Sequence, residues 1–191
     1  QKRKNHGLNA LIDIAEINQK VSVYDLGFKL GPRINAAGRI GKSNFGVDLL
    51  ISKDQHNAHE ISSELEKFNL ERKTIENHVY EMAKQQINTE MKETKIIVVY
   101  DEGWHEGVIG IIASRLKDKY KKPAIVLSVN DGIAKGSGRS IKGIDLGNMI
   151  ISANQNGILD KGGGHAMAAG MTLNKDKIPE LINYLNTKIV H

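Results

Sequence analysis

Cysteine is missing from all 191 residues. Its absence excludes a disulfide frame, a thiolate nucleophile and zinc–sulfur sites, and it fits a reducing cytoplasm. No apolar run approaches the ~20 residues of a membrane span, so no membrane partner is expected. Gln1 to His6 carry charge with no apolar signal core behind it. The chain also begins without methionine, and the expectation is a segment cut from a longer protein. Internal repeats and low-complexity stretches are lacking. There is no close pair of aspartates or Asp/His group of the kind that holds divalent ions, and no nucleophile beside a base, so neither a metal site nor a catalytic residue is expected here. What is present is length for one sizeable domain, with or without an appended element, and a mild positive charge. Lys and Arg number 27 against 22 Asp and Glu, giving net +5 and a pI near 9.3. That balance is compatible with a polyanionic partner without requiring one.

Glycine and proline are absent from about Asp54 to Gln86. Apolar residues there fall at Ile61, Leu65, Phe68, Ile75, Val79 and Met82, with Arg72 in a slot the alternation would fill. The spacing predicts one helix of roughly 30 residues, about 45 Å long at 1.5 Å per residue. One narrow apolar stripe and two flanking halves of different composition suit a strut joining two lobes better than a coiled-coil arm. Ahead of it, short helices are expected over 8–17 and 45–50, separated by an Arg/Gly-rich loop over 30–42. Behind it the pattern alternates: strand 95–100, helix 108–120, strand 123–129. This β-α-β order implies a right-handed crossover and parallel pairing. Asn130-Asp131-Gly132 is a turn signal that returns 133–139 antiparallel. A helix over 145–153, a strand over 168–173 and a closing helix over 178–189, with Pro179 in its first turn, complete the chain. The expected class is α/β, a mixed sheet flanked by helices and preceded by the long helix and a small helical segment.

Glycine clusters carry the chemistry. Asp160-Lys161-Gly162-Gly163-Gly164-His165 reads as a tight turn whose N–H groups converge into an anion-binding nest, the alternative being a flexible surface loop. His165 could act as a general acid; its glycine neighbours point instead to a donor for a phosphate oxygen. Lys135 to Ser140 sets the Ser137 hydroxyl and the Arg139 guanidinium beside Gly138 on a strand that a ligand can approach, and Arg binds phosphate oxygens bidentately; a plain turn is the other reading. Arg33, Asn35 and Arg39 offer two more guanidiniums and an amide, or else a solvated charged loop. Trp104 and His105 lie where a strand meets a helix, a position that faces ligands in open parallel sheets. There Trp104 either stacks on a base or packs inward. Four motifs fail: the P-loop ending at Lys42-Ser43 lacks its first glycine, Gly136-Ser137-Gly138 lacks the third glycine of a dinucleotide fingerprint, Ile109 replaces the second zincin histidine, and His56, His59 and Glu60 suit a solvated helix start.

Taken together these segments resemble the RecJ single-stranded-DNA exonuclease family of the DHH phosphoesterase superfamily. The matching stretches run in order: LGPRINAAGRI at 30–40, GWHEGVIGIIASRL at 103–116, KGSGRSIKGIDL at 135–146 and KGGGHAMAAGMTL at 161–173. The resemblance implies three regions: 1–53 as the end of a DHH domain, 54–90 as a connecting helix, and 91–191 as a DHHA1 substrate-binding domain. No Asp-His-His string occurs, so the Mn²⁺ or Mg²⁺ ions of the family would be held by a domain outside these residues. The implied activity is 5′-to-3′ hydrolysis of single-stranded DNA in repair and recombination, with this portion inactive alone. By position, Ser137 and Arg139 look like grips for the 5′-phosphate, helped by Arg33 or Arg39. Gly163, Gly164 and His165 look like contacts to the phosphate near the scissile bond. Single-stranded DNA, a helicase and a single-strand-binding protein are the implied partners, in the cytoplasm. Two alternatives stay open: a short-oligonucleotide or cyclic-dinucleotide phosphodiesterase of the same superfamily, and a non-catalytic RNA-binding DHHA1 module.

Overall fold

Asn5 opens the first helix, its side chain accepting a hydrogen bond from the Leu8 N–H that the helix itself leaves unpaired. In this computed structural model, which describes residues 5–41 and 44–189, helix α1 spans His6–Ile14 and buries Ala10, Leu11 and Ile12. Helix α2 (Val23–Asp25) passes through a π-helical turn over Leu26–Leu30 into α3 (Gly31–Arg39), and α4 follows at Phe45–Ile51. The loop expected over 30–42 is therefore corrected to a helix as far as Arg39. Pro32 stands in its first turn, where a missing N–H leaves nothing unpaired, and Ala36 and Ala37 are fully buried. Lys42 and Ser43, the end of the discarded P-loop pattern, lie outside the described residues, as do Gln1 to Lys4.

These helices share a core of Leu11, Leu30 and Leu49, which Leu65 and Phe68 of the following long helix (Gln55–Gln86) complete. Asp25 locks the α2 entry. Its carboxylate pairs with Lys29 at 2.8 Å and takes hydrogen bonds from the Ser22 hydroxyl and N–H. Lys29 first, then Ser22, hold its pKa down at about 2.

Helix α5 spans Gln55–Gln86, 32 residues, as the glycine- and proline-free stretch predicts. Arg72 fills its apolar slot by lying buried, with Nη2 donating to Asn69 Oδ1 at 3.1 Å. The chain forms two compact units whose boundary falls between Ile75 and Glu76, inside this helix. The helix stops at Gln86, short of residue 90, because Asn88 caps a separate short helix α6 (Thr89–Glu93) by accepting from the Met91 N–H.

The second unit alternates as the sequence predicts. Strand β1 (Ile97–Glu102), helix α7 (Glu106–Tyr120) and strand β2 (Ala124–Asn130) form a crossover with parallel pairing, Val99 opposite Val126. Asp131 and Gly132, both at positive φ (49° and 78°), turn the chain back into β3 (Ile133–Arg139). Helix α8 (Leu146–Gln155), β4 (Lys161–His165), β5 (Ala168–Asn174) and α9 (Ile178–Lys188) complete it. The five strands run in the order β1-β2-β3-β5-β4, mixed as expected. One face packs on α7, which buries Val108, Ile109, Ile112, Ala113 and Leu116. The other holds a core of Ile125, Leu127, Leu146, Ile150, Leu173 and Leu185 beneath α8 and α9. No helix among the described residues is long and apolar enough to cross a membrane.

The glycine run is the main departure. It forms no nest: Lys161–His165 is an extended edge strand paired antiparallel with β5. Glycine is a poor strand former by itself, so packing decides. A Cβ at Gly162 would lie 2.8 Å from Leu159 Cδ1 and 2.9 Å from Ile150 Cγ2, so the bare strand is what lets α8 sit down on the sheet.

Candidate nucleic-acid interface

Strand register decides which of the candidate residues meet. Ala168 of β5 pairs with Arg139 on one side and His165 on the other. In the next row Gly170 lies between Ser137 and Gly163, and in the third Thr172 lies between Lys135 and Lys161. Residues paired across strands point to one face, so these nine positions share a surface. It is the face on which α7 packs, since a Cβ on Gly110 would touch Arg139 Nη2 at 3.0 Å and Ser137 Oγ at 3.1 Å. Beyond β3 the face is open: a Cβ at Gly163 would meet nothing within 4 Å, and Lys161, His165 and Gly170 are exposed. The Cα atoms of Arg139 and His165 are two strand spacings apart, about 10 Å. Between them lies the nearly bare backbone of Gly163, Ala168 and Gly170.

Ser137, Arg139 and His165 are each held by neighbours. Arg139 Nη1 donates to Ser137 Oγ at 2.9 Å and to the Gly138 carbonyl at 2.8 Å. A hydroxyl that accepts from the guanidinium keeps its own hydrogen for a ligand oxygen. His165 Nδ1 accepts from the Met167 N–H at 3.3 Å, which places the proton of the neutral ring on Nε2 and makes that nitrogen an outward donor. The turn between β4 and β5 is fixed from two sides: Ser140 N–H donates to the Met167 carbonyl at 2.9 Å, and Leu146 N–H to the Ala166 carbonyl at 3.1 Å. The first turn of α8 backs the histidine directly, Gly147 lying against the His165 main chain. Lys135 is paired with Glu106 at 3.0 Å, whereas Lys161 projects into solvent from the edge strand.

The other candidate residues fall outside these nine positions. Gly138 and Gly164 fall on the opposite rows, facing away from this surface. A Cβ at Gly138 would lie 2.6 Å from Leu146 Cδ2, and one at Gly164 2.3 Å from the Ala168 carbonyl, so both serve packing. Arg33 is committed: Nε and Nη2 donate to the Glu66 carboxylate at 2.5 and 3.2 Å, and Nη1 to the Lys29 carbonyl at 2.9 Å. Its role is to tie α3 to α5. Asn35 and Arg39 are exposed on α3, in the first unit. Trp104 is 4% exposed, with the Ser128 hydroxyl donating to its carbonyl, and offers no ring for a base to stack on. His105 caps α7, its Nδ1 accepting from the Gly107 N–H at 3.1 Å. Gly110, Gly170, Thr172 and Lys161 belong to the surface and were missing from the sequence-derived set. The two-residue alternation of 161, 163, 165 and 168, 170, 172 was the signal for three of them. Among the described residues no three His, Asp or Glu side chains gather to hold a cation.

The DHHA1 domain family model matches residues 93–191. The chain is 40% identical over 187 residues to the single-stranded-DNA-specific exonuclease RecJ of Bacillus subtilis, covering 94% of this chain and 23% of that protein. It is 37% identical over 180 residues to RecJ of Escherichia coli, covering 90% and 31%. The crystal structure of RecJ in complex with Mn²⁺ from Thermus thermophilus superposes with a TM-score of 0.84 at 29% identity, covering 95% of this chain and 26% of that one. The chain thus spans about a quarter to a third of the proteins it resembles.

Proposed function

Because this chain belongs to the DHHA1 domain family, we propose that it is the substrate-holding portion of a metal-dependent 5′-to-3′ single-stranded-DNA exonuclease. In this reading residues 1–53 close a DHH domain, 54–90 connect, and 91–191 grip the strand. One observation carries it: Ser137, Arg139 and His165 share a sheet face, with an unobstructed glycine floor between them. Ser137 and Arg139 take the 5′-phosphate through charge-assisted hydrogen bonds. His165 Nε2 donates to the phosphate near the scissile bond, and Gly163 lets the backbone of the strand come close. Arg39 and Asn35 are further candidates for strand contact. The Mn²⁺ or Mg²⁺ ions are assigned to a domain outside these residues, and a helicase and a single-strand-binding protein are the proposed partners of the whole protein. The setting is cytoplasmic.

A backbone grip is electrostatic and blind to sequence. Binding of single-stranded oligonucleotides to this chain should therefore fall steeply as salt rises, with little difference between base compositions. With Mn²⁺ added, the chain alone should leave long single strands intact, and a protein extended by the upstream domain should degrade them. A protein so extended that hydrolyses dinucleotides but spares long strands would contradict the proposal.

A further inference from the structure

We infer that Gly110 is a positioning residue for the phosphate grip, its missing side chain providing the clearance in which the Arg139 guanidinium lies beside the Ser137 hydroxyl. The inference rests on reading Ser137 and Arg139 as that grip. Gly110 sits inside α7, where glycine forms helix less readily than alanine. Its backbone is ordinary helix, with no positive φ to demand glycine. Nor does packing of one backbone on another demand it. The atoms nearest a Cβ at this position are Arg139 Nη2 at 3.0 Å, Ser137 Oγ at 3.1 Å and Arg139 Cζ at 3.7 Å, all of them side-chain ends. A methyl group here would leave the helix and sheet in place and push the guanidinium aside by a few tenths of an ångström. That shift acts on the 2.9 Å bond that aligns Arg139 with Ser137. Alignment is what a planar, bidentate donor needs.

The test is a double-mutant cycle on this chain with Gly110→Ala, Arg139→Ala and both together. The probes are 3′-fluorescein-labelled oligothymidylates ending in a 5′-phosphate or a 5′-hydroxyl, read by anisotropy, with a melting curve for each variant. Gly110→Ala should melt no lower than the parent and lose affinity for the 5′-phosphate strand about fivefold. Its affinity for the 5′-hydroxyl strand should not change, and it should add no loss when Arg139 is already alanine. Equal loss on both strands, a lowered melting temperature, or the same loss with and without Arg139 would each overturn the positioning role. If Arg139→Ala itself leaves the preference for a 5′-phosphate intact, the underlying reading fails as well, whatever Gly110→Ala does.

Discussion

Arg139→Ala is expected to weaken binding of a 5′-phosphorylated single strand by ~10- to 100-fold, because a hydrogen bond to a charged group contributes about 1.5–3 kcal/mol. The fold should barely register the change. Arg139 is the last residue of β3, and its Nη1 donates to its own strand neighbours, the Ser137 hydroxyl and the Gly138 carbonyl. Arg139→Lys keeps the charge but loses the fork, and should recover only part of the affinity. Anisotropy titrations with 5′-phosphate and 5′-hydroxyl strands, beside thermal melts, measure both effects. A loss equal on the two strands, or a fall in melting temperature that tracks the loss of binding, would mean that Arg139 supports the sheet and does not hold substrate.

Two adjacent glycines should respond in opposite ways. Gly164→Ala is expected to destabilise the second unit by about 2–4 kcal/mol, combining overpacking with backbone strain. Its Cβ would lie 2.3 Å from the Ala168 carbonyl and 2.6 Å from Ala169 Cα, at a φ of 157°. Both contacts are to β5, the strand that β4 must pair with. Gly163→Ala should leave stability within about 0.5 kcal/mol of the parent, since a Cβ there meets nothing within 4 Å. That methyl group rises from the open face, however, and should reduce affinity for single strands. Denaturant unfolding of the two variants separates them. Similar losses of stability would show that the alternation of faces along β4 is misassigned.

The alternating pattern of the second half made most of that unit legible: the parallel crossover, the tight turn at Asp131-Gly132 and the closing helix all follow from local signals. The glycine run was legible as a place of close approach but not as a strand, because its extended form is imposed by α8 and β5. Arg33 shows a second limit. Its partner Glu66 is 33 residues away, and nothing at either position announces the pair, so a committed guanidinium reads like an available one. Gly138 and Gly164 illustrate the converse. Motif neighbours of the candidate residues fall on the opposite face of a strand simply because side chains alternate.

A crystal structure of this chain with a 5′-phosphorylated oligothymidylate tests the account most directly. It predicts the terminal phosphate within hydrogen-bonding distance of Arg139 and Ser137, the following phosphate near His165 Nε2, and the nucleoside between them over Gly163 and Gly170. A phosphate bound on the α8 side of the sheet, or seated away from β3 and β4, would contradict it.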